Sequence, residues 1–348
     1  MIARLAAAAA AVLVILAAGA VLPLPHDGSS TFAASARPPG GEDLVTPRIR
    51  AAVDSGLSYL AKIQREDGSF GQSGRAASTA CAALAGLAFM SDGSQPGRGP
   101  YGENVERALA YVLGSRQPSG LLEYGLPHHA MYSHAFSTLF LAEAWGTGGG
   151  GEDVKGALKS AVELIVRTQS RRGGWRYQPK VADADISVTV CQIVALRAAA
   201  NAGIAVPRET VDRALGYLLE CSLPGGGFAY QAGGSEPALA RTGGALASLL
   251  LAGREDAPQV GGAVEFLEAN RETDERFFYY GHYYAAQGMH LLGGEAWPAW
   301  YRWIAAELLR RRDENGSWYG RAEERVQSTA MAVMVLTIPN GYLPIYQR

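Results

Sequence analysis

The chain has 348 residues, 33 acidic and 31 basic, for a net charge of −2, and only 18% of its residues are charged. There is no basic field to meet a phosphate backbone, and the longest basic run is Arg310 to Arg312, so composition argues against nucleic acid as a partner. Three cysteines are too few and too odd in number for a disulfide framework.

Residues 1–36 begin with a single positive charge, Arg4, followed by an apolar stretch from Leu5 to Leu24 and the small tripeptide Ala34-Ser35-Ala36, which suits a signal peptidase. This pattern predicts export to a periplasmic or extracellular space. The apolar stretch is about 20 residues long, enough to cross a bilayer if uncut, so the alternative is an N-terminal anchor and membrane association through it. Residues 37–47, rich in Gly and Pro, are expected to form a linker.

From residue 48 a helix, a Gly-aromatic turn and a second, small-residue helix recur six times with a period of about fifty residues. The turns are Gln64 to Phe70, Gln117 to Leu122, Gln169 to Trp175, Cys221 to Phe228, a degenerate Arg276 to Gly281, and Arg312 to Trp318. The first four markers, Phe70, Leu122, Trp175 and Phe228, are spaced by 52, 53 and 53 residues. The first helix of each unit is amphipathic, as in Val105, Leu109, Val112 and Leu113 or Val162, Leu164, Ile165 and Val166.

The second helices are Ala76 to Met90, Ser133 to Trp145, Ser187 to Ala200, Ala238 to Ala252, Tyr283 to Leu292 and Gln327 to Leu336. They carry almost no charge, and a helix that is apolar on every side is buried all round. This pattern predicts an all-α, single-domain (α/α)6 toroid over residues 48–338, six hairpins with an apolar inner ring inside an amphipathic outer ring. Residues 339–348 are expected to be a coil tail on the surface. In the turns, glycine is expected to end the outer helix, the aromatic to bury against the preceding hairpin, and the Gln to satisfy free amides of the next inner helix. Cys81 and Cys191 fall within inner helices, where a thiol packs as a small hydrophobe.

The Gln-x(3)-Gly-x-Phe of Gln64 to Phe70 and the Gln-x(4)-Gly-Trp of Gln169 to Trp175 resemble the QW repeats of squalene and hopene cyclases, whose toroid is shared by protein prenyltransferase β subunits. The resemblance covers about Arg48 to Leu336. Asp183-Ala184-Asp185-Ile186-Ser187-Val188-Thr189 is similar to the Asp-x-Asp-Asp-Thr signature of class II terpene cyclases. It implies that Asp185 is the proton donor, with Asp183 the first Asp and Ser187 in the Thr position. Ile186 departs from the pattern, standing where the last Asp belongs. Those cyclases also resemble two toroids with substrate between them, whereas this chain supplies one.

The chemistry makes the same demand on its own terms: an alkene is protonated by a neutral carboxylic acid aimed into a dry cavity whose aromatic walls stabilise a cation. Asp185 opens an inner helix. Tyr132, Tyr279, Tyr280, Tyr283 and Tyr284 lie at inner-helix starts as candidate walls, and Gln327 opens the sixth. Asp185 equally suits a helix N-cap. His134 and His282 are candidates to hydrogen-bond Asp185, with a polar lumen mouth as the alternative. Arg241, Arg276, Arg321 and Arg325 are candidates to meet an anionic group, or else are solvated surface charges.

His282 alone matches the zinc site of the prenyltransferases, since Asp-x-Cys is absent, and no Asp-Asp-x-x-Asp is present to hold a magnesium diphosphate. No metal and no cofactor is expected. Trp297, Trp300 and Trp303 are expected to pack the outer ring. Two functions follow: acid-initiated cyclisation of an isoprenoid-like apolar molecule, or a non-catalytic toroid that binds a lipid, peptide or partner protein in its lumen or on its rim. A polysaccharide-cleaving toroid would need two carboxylates across a cleft.

Overall fold

The computed structural model describes residues 44–70, 78–125, 127–272, 276–321 and 324–347. The apolar N-terminal segment and the linker as far as residue 43 lie outside the described residues. The described residues form twelve α-helices: α1 (Pro47–Ile63), α2 (Thr79–Ser91), α3 (Gly102–Gly114), α4 (Ala130–Gly146), α5 (Gly151–Thr168), α6 (Ile186–Asn201), α7 (Arg208–Glu220), α8 (Leu239–Leu251), α9 (Gln259–Asn270), α10 (Phe278–Leu292), α11 (Ala296–Arg311) and α12 (Arg325–Thr337).

The even-numbered helices make the inner ring. Each packs on the next, and α12 packs back on α2 to close the circle. Every residue of α2 is buried, whereas α5 buries only one face, through Val154, Leu158, Val162 and Ile165 among others. The uncharged pattern of one set and the amphipathic pattern of the other thus become two concentric layers. Small side chains permit the crowding. A methyl group on Gly243 of α8 would meet the Ala285 backbone of α10 at 2.8 Å, and one on Gly288 of α10 would come within 3.2 Å of the Ala247 nitrogen.

The Gly-aromatic turns fasten each hairpin to its neighbour. Gly173 has φ +99, and a Cβ there would lie 2.2 Å from the Arg213 carbonyl oxygen of α7, so the turn rests directly on the next outer helix. Trp175 is buried and donates its indole N–H to the Ile165 carbonyl at 2.8 Å; Trp318 repeats the contact with Leu308 at 2.7 Å. The backbone N–H groups of Trp175, Phe228 and Trp318 are taken by the hydroxyls of Thr189, Thr242 and Thr329, each in the first turns of the inner helix that follows.

Three expectations change. Two of the turn glutamines reach carbonyls of the next outer helix rather than inner-helix amides: Gln169 donates to Thr210 O at 2.8 Å, and Gln64 donates to Asn104 O at 2.9 Å. Their amide N–H groups face carbonyls, so they join consecutive outer helices. The segment Arg276 to Gly281 is not a turn of this kind, because α10 already begins at Phe278 and Gly281 lies within it against Ala240 of α8.

The tail is not on the surface either. Leu343, Ile345 and Tyr346 are buried, and the short 3-10 turn Pro344–Tyr346 packs against α4, α6 and α10. Ile345 donates its N–H to Glu143 Oε2 at 3.4 Å, and the Tyr346 carbonyl lies 3.1 Å from His290 Nε2. Both Glu143 and His290 belong to the last turns of inner helices, so the tail covers the end of the barrel where those helices finish.

Candidate active site

The first turns of all six inner helices meet at one end of the barrel. A cavity of about 520 Å³ occupies that end, within the range of small-molecule pockets. Every inner helix lends its first turns to the wall: Cys81 and Leu84 from α2, Tyr132 and Phe136 from α4, Ser187 from α6, Arg241 from α8, Tyr280 from α10 and Gln327 from α12. His129, Tyr177, Tyr230, Phe277 and Glu324 complete it from the connecting segments.

Asp185 stands at the N-cap of α6 and is fully buried. The turn holds its backbone, with Asp185 N–H donating to the Trp175 carbonyl at 2.9 Å, while Ile186 N–H donates to Tyr230 O at 3.0 Å. Oδ1 accepts the Val188 N–H at 2.9 Å; Oδ2 is buried and makes no well-formed hydrogen bond. Burial pushes the Asp185 carboxyl up to about 6, against the opposing pull of the Val188 N–H, the Arg176 charge and the Tyr230 hydroxyl. The N-cap contact therefore uses one oxygen of the side chain and leaves the other without a well-formed hydrogen bond. Ile186, in the position of the missing carboxylate, is fully buried and offers Asp185 no partner of that kind.

Asp183 behaves differently. Its exposed carboxylate accepts Arg176 Nη1 at 2.6 Å and Gln231 Nε2 at 2.8 Å through Oδ2, and Ala184 N–H at 2.8 Å through Oδ1. The Ala184 N–H, Gln231 and Arg176 hold it below the usual carboxylate range. It is an ionised rim residue rather than a second acid.

Four tyrosines, Tyr132, Tyr177, Tyr230 and Tyr280, line the cavity. The Tyr177 and Tyr230 hydroxyls are directly bonded to each other, and the rings of Tyr132 and Tyr280 meet edge to face with centroids 6.4 Å apart. Tyr280 donates to the Ser187 carbonyl at 3.2 Å. Burial, and then the nearby Asp185 charge, hold the Tyr132 phenol well above its ordinary value, so it stays neutral.

Tyr132, Ser187, Arg241 and Gln327 are thus brought to one cavity, whose wall does not include Asp185, two residues before Ser187 in the chain. The candidates His134, His282, Tyr283 and Tyr284 are not on its wall, nor are Tyr279, Arg276, Arg321 and Arg325. His134 is turned outward: Nδ1 accepts the Leu122 N–H at 3.1 Å and Nε2 lies 3.1 Å from Ala161 O on α5, so the ring replaces the turn-bonding Thr of the other repeats. Burial lowers its pKa to about 4. His282 is buried against Phe278, Trp300 and Trp303 toward the outer ring, and burial lowers it to about 3. Neither ring contacts Asp185.

Tyr283 and Tyr284 are buried below the cavity, where the Tyr284 hydroxyl lies 3.2 Å from Cys191 Sγ. Among the described residues no three His, Cys, Asp or Glu side chains are grouped as metal ligands.

Sequence reasoning missed Tyr177 and Tyr230, although each stands two residues after its turn aromatic in successive repeats. It also missed Glu324, which no motif marks, and the place of Cys81 on the wall.

The prenyltransferase alpha-alpha toroid domain matches residues 99–278, half of the chain. The chain belongs to this family. Drimenyl diphosphate synthase from Streptomyces showdoensis is 31% identical over 189 residues, which is 52% of this chain but 32% of that synthase, so the two share only about a third of the synthase's length.

Among solved structures, the type II terpene cyclase MstE from Scytonema superposes with a TM-score of 0.57 at 14% identity, over 86% of this chain and all of that one. An alpha-1,6-mannanase of Salegentibacter superposes with a TM-score of 0.63 at 10% identity, over 84% of this chain and 99% of that one. At such identities these likenesses concern the fold, which hosts both kinds of chemistry.

Proposed function

We propose that the chain is an exported member of this toroid family that binds an isoprenoid-like apolar molecule in its cavity and starts its cyclisation by proton transfer from Asp185. The observation that carries this is the buried carboxyl of Asp185, raised to about 6, with Oδ2 free of any well-formed hydrogen bond beside a tyrosine-lined cavity. Such an acid is still largely protonated in mildly acidic water and has no strong hydrogen bond to break before giving up its proton. In the step, the alkene π pair forms a C–H bond to that proton, the other alkene carbon becomes cationic, and the electrons of the O–H bond remain on the carboxylate.

Tyrosine faces stabilise the cation, at about 0.5–2 kcal/mol each. Asp183 assists indirectly by pairing with Arg176, offsetting part of the pull that this charge exerts toward the ionised form of Asp185. A cavity of about 520 Å³ suits a small apolar guest such as an isoprenoid.

The test is gas chromatography with mass spectrometry after incubating the protein and Asp185→Asn with squalene and shorter isoprenoids. Cyclic product from the native protein alone supports the proposal. Absence of product from both refutes it for those substrates and leaves a lipid-binding toroid. Export rests on the N-terminal pattern, and mass analysis of the secreted protein would reveal cleavage near Ala36; full-length intracellular protein would refute it.

A further inference from the structure

Glu324 is the one carboxylate among the described residues that line the cavity. It occupies the N-cap position of α12 with extended backbone, φ −70 and ψ 147, yet its side chain makes no cap hydrogen bond. Asp185 in the same position of α6 does cap its own helix. The Glu324 carboxylate instead leaves its helix and accepts the Cys81 thiol of α2 at 3.4 Å through Oε2. Burial, reinforced by the Glu324 charge, holds the Cys81 thiol well above its ordinary value, so it stays a donor and steadies that oxygen.

In the inner ring, α12 is three helices from α6 in either direction, so Glu324 and Asp185 belong to opposite sides of that ring. The other fixed charge on the wall, Arg241, points its guanidinium at the Phe228 and Glu236 carbonyls, at 3.3 and 2.8 Å.

We propose that Glu324 is the cation-facing base of this cavity: it pairs with positive charge on an apolar guest and, during turnover, takes the proton that ends the reaction. The proposal deepens the cyclase assignment and rests on it for the second half. The balance closes without a co-reactant. A C–H bond next to the cationic carbon breaks, its electron pair becomes the new C=C bond, and the proton bonds to a Glu324 oxygen. Solvent later reprotonates Asp185 and deprotonates Glu324, and the net change is an isomerisation. Cys81 is a positioning residue in this scheme.

The first arm of the test needs no turnover. N,N-dimethyldecylamine, protonated at neutral pH, and its neutral counterpart decyl methyl ether are titrated into the full protein by calorimetry. The amine is expected to bind about tenfold more tightly than the ether. Glu324→Gln is expected to remove that preference, and Asp185→Asn to retain it. Equal affinity of the two ligands for the native protein, no binding of either, or an unchanged preference in Glu324→Gln would each overturn the proposal.

In the second arm, with an isoprenoid that the native protein cyclises, Glu324→Gln is expected to keep consuming substrate but to divert product to another alkene isomer or a water-captured alcohol. An identical product profile would overturn the role as base. If the native protein cyclises nothing, the cyclase assignment fails, while the amine preference still decides whether Glu324 faces a cation.

Discussion

The backbone N–H of Asp185 donates to the Trp175 carbonyl at 2.9 Å, so the turn that locks two hairpins together also fixes the start of the helix carrying the buried acid. Structure and chemistry meet at these two residues, and substitutions can separate them. Asp185→Asn keeps an oxygen for the Val188 N–H, whereas Asp185→Ala does not. Asn should therefore unfold within about 0.5 kcal/mol of the native protein and Ala about 1 kcal/mol lower. Both should lose any proton-initiated activity. Urea denaturation beside the product assay checks this, and an active Asp185→Asn would assign the residue to capping alone.

Gly173→Ala is expected to cost about 2 kcal/mol or more, because the residue has positive φ and the new methyl group would run into the Arg213 carbonyl of α7. Gly156, in the exposed part of α5, has nothing within 4 Å of the place a methyl group would take, and Gly156→Ala should stabilise by about 0.5–1 kcal/mol. Melting temperatures moving in the same direction for the two variants would contradict the docking role of the turn.

Glu143 gives a pH signature. Burial pushes its carboxyl from 4.5 up to about 8, opposed by the Ile345 N–H. Unfolded chains lose this proton above about pH 4.5 and folded ones hold it to about 8, so between those limits folding takes up a proton and stability falls as pH rises, by about 1.4 kcal/mol per pH unit at most. Asp185 adds a similar fall only up to about pH 6, and His134, lowered to about 4, acts in the opposite sense below about 6.5. The window from pH 6.5 to 8 therefore isolates Glu143. Glu143→Gln should flatten the stability curve there in urea titrations, and an unchanged slope would count against the buried carboxyl.

Removing residues 341–348 uncovers the far end of the barrel. Loss of the buried Leu343, Ile345 and Tyr346 side chains should cost several kcal/mol, at about 1.5–3 kcal/mol for each fully buried large side chain. A lowered melting temperature with new binding of a hydrophobic dye is the expected result. Native-like melting of the truncated chain would show that the tail is not a structural seal.

The ring of hairpins was legible because its signals are local and repeated: Phe70, Leu122, Trp175 and Phe228 at near-constant spacing, with helices such as Ala76 to Met90 that could only be interior. Asp185 was legible through its motif: the N-cap contact is met by Oδ1, while the acid role belongs to the proposed function. The histidines were not legible. Whether His134 faces the lumen or the outer ring is a matter of helix rotation, and only its equivalence to Thr189, Thr242 and Thr329 would have revealed it. Glu324 meets Cys81 across 243 residues, a contact that no local pattern announces.

The meeting of α12 with α2 also bears on how the chain reaches its native state. Thr337 donates to Ser91 at 2.8 Å across a separation of 246 residues, and until the sixth hairpin arrives α2 has no neighbour for one side of a surface that is apolar all round. Consecutive hairpins assemble by short-range contacts, but the last seam must wait for nearly the whole sequence. Such a long closure is slow compared with hairpin formation. A chain whose ring has not closed would expose an apolar edge at each end, and at high concentration two such chains would compete with ring closure by pairing edge to edge. Refolding yield should therefore fall with protein concentration more steeply than for a bundle of the same size whose contacts are all local.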